Sequence, residues 1–166
     1  MFKVLAHVGT VLALTAAALA PSAAHAADSC WPIPDNTKTF YPPGRGPVLV
    51  AVKVCVGKSG TKHQAQVNVA WSRPNGGPLN AFDNFLVHTR LERNDVAKDQ
   101  AHVGLTYLIN SKSGGQQEVN GKWYDSPLTG GWTADLTIDY DLDNDGKGEF
   151  VWNLHGSHEV SLDGVE

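Results

Sequence analysis

The chain has 166 residues, 42% of them hydrophobic and 18% charged, which excludes global disorder and leaves room for one domain but not for a large multidomain enzyme. Seventeen glycines, nine prolines and one methionine favour a turn-rich β protein over a helical bundle. The formal net charge of −4 is unevenly spread: residues 27–124 carry 11 Lys or Arg against 7 Asp or Glu, and residues 125–166 carry Lys147 alone against 10 acids. With no basic stripe among the aromatics, nucleic acid is not an expected partner.

Met1-Phe2-Lys3 is a short positive start, Val4 to Ala20 is apolar, and Ala24-His25-Ala26 closes the run with small residues. That is the layout of a secretory signal peptide over residues 1–26. As a membrane anchor the run is too short, since a span needs about 20 apolar residues. The mature chain is expected to be exported and extracellular, with no membrane span. In that oxidising setting Cys30 and Cys55 are expected to form a disulfide, whose loop closure contributes about 3.5 kcal/mol in the chain-entropy model. Residues 27–47 hold Pro32, Pro34, Pro42, Pro43 and Pro47 and read as a proline-rich extended leader. Residues 48–166 read as the folded domain.

Val48 to Val56 is β-branched and apolar, Gly57 to Gly60 is a turn, and Gln64 to Trp71 alternates apolar with polar, which together signal a hairpin. Arg73 to Pro78 is a second break. Phe82 to Arg93 fits a strand through Phe85, Val87, Thr89 and Leu91, with His88, Arg90 and Glu92 outward, but Leu79, Phe82, Phe85 and Leu86 also fit a helix face. Val103, Leu105, Tyr107 and Ile109 alternate as a further strand, ended by Ser113-Gly114-Gly115, and a weaker strand covers Gln117 to Tyr124. Trp132 to Tyr140 alternates cleanly, as does Phe150 to Leu154, and a last short run holds Val160 and Leu162. Seven or eight short strands without an internal repeat predict an all-β fold: a single antiparallel β-sandwich, jelly-roll or Ig-like, or a partly closed barrel.

Between the two clearest strands lies Asp141-Leu142-Asp143-Asn144-Asp145-Gly146-Lys147-Gly148-Glu149. Carboxylates fall at loop positions 1, 3, 5 and 9, with glycine at 6 and the Lys147 carbonyl at 7. Calcium takes six to eight hard oxygens, and acids at alternate positions of a tight loop can point inward together. The loop resembles the D-x-D-x-D-G-x-x-[D/E] calcium loops in the β-hairpins of FG-GAP-type repeats, with Glu149 in place of the commoner Asp. It also resembles the first half of an EF-hand, but Trp152 stands where that motif needs a bidentate Glu and the flanks have strand period. The resemblance covers this loop alone and implies calcium, with Asp141, Asp143, Asp145, Lys147 and Glu149 as ligands. It implies neither an activity nor a whole-chain family. Calcium is expected to be structural, pinning the hairpin whose strands carry Ile138, Tyr140, Phe150 and Trp152.

Other constellations are less specific. His155-Gly156-Ser157-His158-Glu159 groups two imidazoles, a hydroxyl and a carboxylate, but in no zinc-peptidase order and after a strand. Trp123 and Tyr124 lie near turns and are candidates for sugar stacking, whereas Trp71, Trp132 and Trp152 fall on apolar strand faces. No nucleophile elbow or phosphate-binding glycine loop is present. The expectation is a secreted, calcium-binding, non-catalytic module for an extracellular polymer, carbohydrate among them, or a protein ligand. The alternatives are a secreted hydrolase using His155, His158 and Glu159 or dispersed carboxylates, and a proteinase inhibitor presenting Arg73 to Pro78.

Overall fold

The computed structural model describes residues 29–30, 33–76 and 79–159. The expected signal peptide and the run at Val160 and Leu162 lie outside the described residues. In chain order the strands are β1 (Ser29–Cys30), β2 (Thr37–Phe40), β3 (Val48–Ser59), β4 (Lys62–Ser72), β5 (Phe82–Arg93) and β6 (Val96–Gly104). After the helix α1 (Thr106–Ser111) come β7 (Gly114–Glu118), β8 (Tyr124–Asp125), β9 (Trp132–Leu142) and β10 (Phe150–Asn153). Two sheets result. One runs β1-β3-β4-β7, with β2 also on β3 and β8 also on β4; the other runs β10-β9-β5-β6. They pack face to face as an antiparallel sandwich and do not close into a barrel.

Period-two burial makes this arrangement. Val48, Val50, Val52, Val54 and Val56 of β3 are wholly buried, as are Phe85, Val87 and Leu91 of β5 and Trp132, Ala134 and Ile138 of β9. Each such side chain contributes about 1.5–3 kcal/mol by leaving water, so a one-residue slip of any strand would expose its whole inner row. At one end Phe40 is the hub of an aromatic cluster. Its ring meets Phe82 at 5.1 Å, Tyr140 at 4.9 Å and Trp152 at 5.8 Å, all edge to face, the arrangement that ring quadrupoles favour. Lys38 caps the cluster, its Nζ donating to the Tyr140 hydroxyl at 2.8 Å.

Several expectations are refined. The ambiguous stretch 82–93 is a strand. The turn at 57–60 shrinks to Gly60-Thr61, because Ser59 pairs with Lys62 and Gly60 takes φ +60°. The leader is not a separate tail: Thr37–Phe40 pairs with Val48–Ala51, and Ile33–Asn36 forms a 3-10 turn. The expected strand through Val103, Leu105, Tyr107 and Ile109 is overturned. β6 ends at Gly104 and α1 follows, with Leu105 and Ile109 buried and Val103 and Tyr107 exposed. Leu105 and Ile109 are four apart, so they share a helix face as readily as a strand face. Gly114 and Gly115 do not end a strand but pair with Ser72 and Trp71; a Cβ on Gly115 would lie 2.7 Å from the Trp71 ring, so only glycine allows that approach.

The Cys30–Cys55 disulfide is formed and joins directly opposed residues of β1 and β3. Replacing both cysteines by alanine is expected to lower the unfolding free energy by about 2–4 kcal/mol, read from urea denaturation. An unchanged midpoint would mean that β1 is held by its strand pairing alone.

Candidate functional site

The acidic hairpin loop is curled by Asn144, Gly146 and Gly148, which take φ +57°, +67° and +78°. Its backbone is anchored by the Asp143 N–H donating to the Ala81 carbonyl at 3.0 Å and the Lys147 N–H donating to Asp145 Oδ1 at 2.8 Å. The carboxylates divide. Asp143 pairs with Arg45 at 2.8 Å, and that hydrogen bond holds its carboxyl below the usual range. Asp141 is pushed the other way, first by desolvation and then by the charges of Asp83, Asp145 and Glu149. Asn84 Nδ2 donates to Glu149 Oε1 at 2.5 Å. The oxygens suit a hard cation in kind, but they are not gathered into a cage. Among the described residues no group of three or more His, Cys, Asp or Glu side chains is arranged to hold a metal ion. In this structure the four loop acids do not converge on one point, and the Arg45 guanidinium holds Asp143.

A second constellation lies on the solvent face of the four-stranded sheet. Because Val87, Thr89 and Leu91 point inward, His88, Arg90 and Glu92 share the other face of β5. The register sets His88 opposite His102 of β6 and Thr137 of β9, and Arg90 opposite Gln100 and Asp135. These residues and Asp139 line a shallow depression of about 280 Å³. His88 Nε2 lies 2.8 Å from Asp139 Oδ2, and the His88 and His102 rings are 6.0 Å apart between centroids. Arg90 bridges Glu92 at 2.6 Å and Asp135 at 3.3 Å. Burial raises the Glu92 carboxyl, helped by its hydrogen bond to Asp135 and the charges of Asp135 and Asp95, with Arg90 opposing. The result is a compact array of donors and acceptors, open to water, in which Arg90 pairs with two of the three carboxylates. Sequence parity put His88, Arg90 and Glu92 outward, but nothing in the sequence showed which residues of β6 and β9 would join them.

The remaining candidates are placed as follows. Trp123 and Tyr124 are 45% and 38% exposed, and Tyr124 also leans on Trp132 at 5.8 Å. His155, His158 and Glu159 are exposed on a segment that continues the sheet edge through Leu154 and Ser157 N–H bonds to β9. Ser157 is buried, and its hydroxyl accepts from the Ala134 N–H at 2.8 Å. Arg73 is buried and donates to the Ile109 carbonyl at 3.1 Å, so the exposed part of that break is Pro74, Asn75 and Gly76. No helix among the described residues is long and apolar enough to cross a membrane. Comparison with protein-family models, curated proteins and solved structures returns no match.

At the other end of the core His63 is 1% exposed and stacks on Trp132 at 4.2 Å. Among the described residues neither ring nitrogen has a partner in hydrogen-bond geometry. Burial lowers its pKa, with the charge of Lys58 adding to the effect and the Thr61 backbone opposing it. The unfolded chain therefore binds the His63 proton more readily than the folded one. The stability tied to this group is complete above the ordinary imidazole value of about 6.5 and is lost as pH falls through the folded value. Denaturation at pH 7.5 and pH 5 is expected to show weaker folding in acid, and the loss should shrink in His63→Phe, which keeps a ring against Trp132. An equal loss in both proteins would clear His63 of that role.

Proposed function

We propose that this chain is a non-catalytic, exported binding module that holds a hydroxyl-rich extracellular polymer, carbohydrate in class, on the open face of its four-stranded sheet. The observation that carries the reading is the depression lined by His88, Arg90, Gln100, His102, Asp135, Thr137 and Asp139. Side chains fixed by sheet register and by one another lose little freedom when a ligand replaces their water, and such preorganisation favours binding. An open face suits a polymer, which needs room at both ends. The exposed rings of Trp123 and Tyr124 offer a stacking surface elsewhere on the molecule. The one hydroxyl in the segment from His155 to Glu159 is buried and bonded to backbone, which leaves that segment no serine nucleophile. Export rests on the composition of residues 1–26, and the disulfide is compatible with it.

Retention of the protein on insoluble cellulose, xylan or chitin tests the reading. The paired substitution Gln100→Ala and Thr137→Ala, which leaves the ion pairs alone, is expected to reduce retention several-fold. Absence of retention on all three polymers would overturn it.

The acidic loop is proposed to take calcium through Asp141, Asp145, Glu149 and the Lys147 carbonyl, with Asp143 joining once it leaves Arg45. The loop spacing and the left-handed turns at Asn144, Gly146 and Gly148 support this, and the Arg45–Asp143 pair opposes it. The loop must tighten for calcium to bind. With free calcium 100-fold above its dissociation constant the fold would gain about 2.7 kcal/mol, seen as a higher melting midpoint than in chelator. Asp145→Asn is expected to abolish the shift and Arg45→Ala to enlarge it; identical melts with calcium and chelator would overturn the assignment.

A further inference from the structure

We propose that His88 and His102 form an open site for a divalent transition-metal ion of the zinc class, with Asp139 as the residue that positions His88. The inference rests on the geometry of the sheet face and stands whether or not a polymer binds there.

The two histidines are directly opposed on the antiparallel strands β5 and β6, so both imidazoles rise from the same side of the sheet at neighbouring backbone positions. Their ring centroids are 6.0 Å apart and their planes are tilted by 48°. Two imidazoles on one tetrahedral ion, each bound at about 2.0–2.1 Å, hold their ring centres about 5–5.5 Å apart. The rings therefore stand within about an ångström of a chelating separation, a gap of the size that side-chain rotation spans.

Asp139 makes the second part of the argument. Its Oδ2 is 2.8 Å from His88 Nε2, and a carboxylate accepts there only from an N–H. In the neutral ring this puts the proton on Nε2 and the lone pair on Nδ1. A ligating imidazole whose other nitrogen donates to a carboxylate is the common outer arrangement of protein metal sites, where it fixes the tautomer and raises the basicity of the ligand. His102 is exposed, so its ring can turn toward the same point.

Imidazole pairs select zinc, copper or nickel over calcium and magnesium, which need hard oxygens. The site is thus chemically separate from the acidic loop. With two protein ligands the remaining positions are left to water or to a polar group of a bound molecule.

The test is titration of the full chain with zinc chloride, followed by calorimetry and by histidine side-chain nitrogen resonances. One saturable equivalent is expected, with the resonances of His88 and His102 shifting together. His88→Ala and His102→Ala should each weaken binding at least tenfold. Asp139→Asn should weaken it about 10–100-fold and change the His88 tautomer, and Asp139→Glu should restore part of both. Asp145→Asn in the acidic loop, and His155→Ala with His158→Ala, should leave zinc binding unchanged. The site is refuted if no saturable zinc uptake occurs, if uptake survives loss of both His88 and His102, or if it disappears with His155 and His158. The positioning role is refuted if Asp139→Asn binds zinc like the parent. Because all three side chains lie on the solvent side of the sheet, loss of fold is not expected, and the melting curve of each variant checks it.

Discussion

Burial of one face of each sheet against the other is the constraint on which the remaining features depend. β3 supplies five valines to the interface, and β5 and β9 answer with Phe85, Val87, Leu91, Trp132 and Ile138, all fully buried. Because strand side chains alternate, fixing those residues inside fixes His88, Arg90, Asp135, Thr137 and Asp139 on the opposite face, with Glu92 beside them but covered. The polar face is a consequence of the core, and moving the register by one residue would destroy both together.

The two ends of the sandwich are finished differently. At one end Phe40 draws Phe82, Tyr140 and Trp152 into an edge-to-face cluster, which seats the base of the acidic hairpin. The other end closes over His63 and Trp132, stacked at 4.2 Å, with the Trp132 Nε1 donating to the Leu128 carbonyl at 2.8 Å. A buried imidazole that gains no hydrogen bond is an unfavourable core residue. It packs as a flat ring and brings a sensitivity to acid that a phenyl ring would lack.

The acidic loop shows how tertiary contacts redirect a local motif. Its spacing meets the oxygen requirement of calcium, yet Arg45, 98 residues away in sequence, reaches Asp143 and offsets part of the negative charge. One carboxylate of the motif is thus already paired with an internal cation. On the sheet face Arg90 has a similar part between Glu92 and Asp135, where it steadies the array that the polymer reading uses.

Much of the fold was legible from local pattern. Alternation marked β4 and β9 but left β5 open between strand and helix, a β-branched apolar run marked β3, glycine and proline marked most turns, and the two cysteines pointed to the disulfide, because strand period and turn chemistry act within a few residues. Where two periods coincide, pattern fails: Leu105 and Ile109 fit strand and helix alike, and the packing of α1 decided between them. Strand partnership was likewise undetermined, since no local preference tells β5 that its neighbours are β6 and β9. Along β4, β5 and β9 the sequence by itself therefore determined which side chains share a face. Only the tertiary structure decided which of them meet, His88 with His102 and Asp139, Arg45 with Asp143, because those meetings depend on strand order and register, which long-range burial selects.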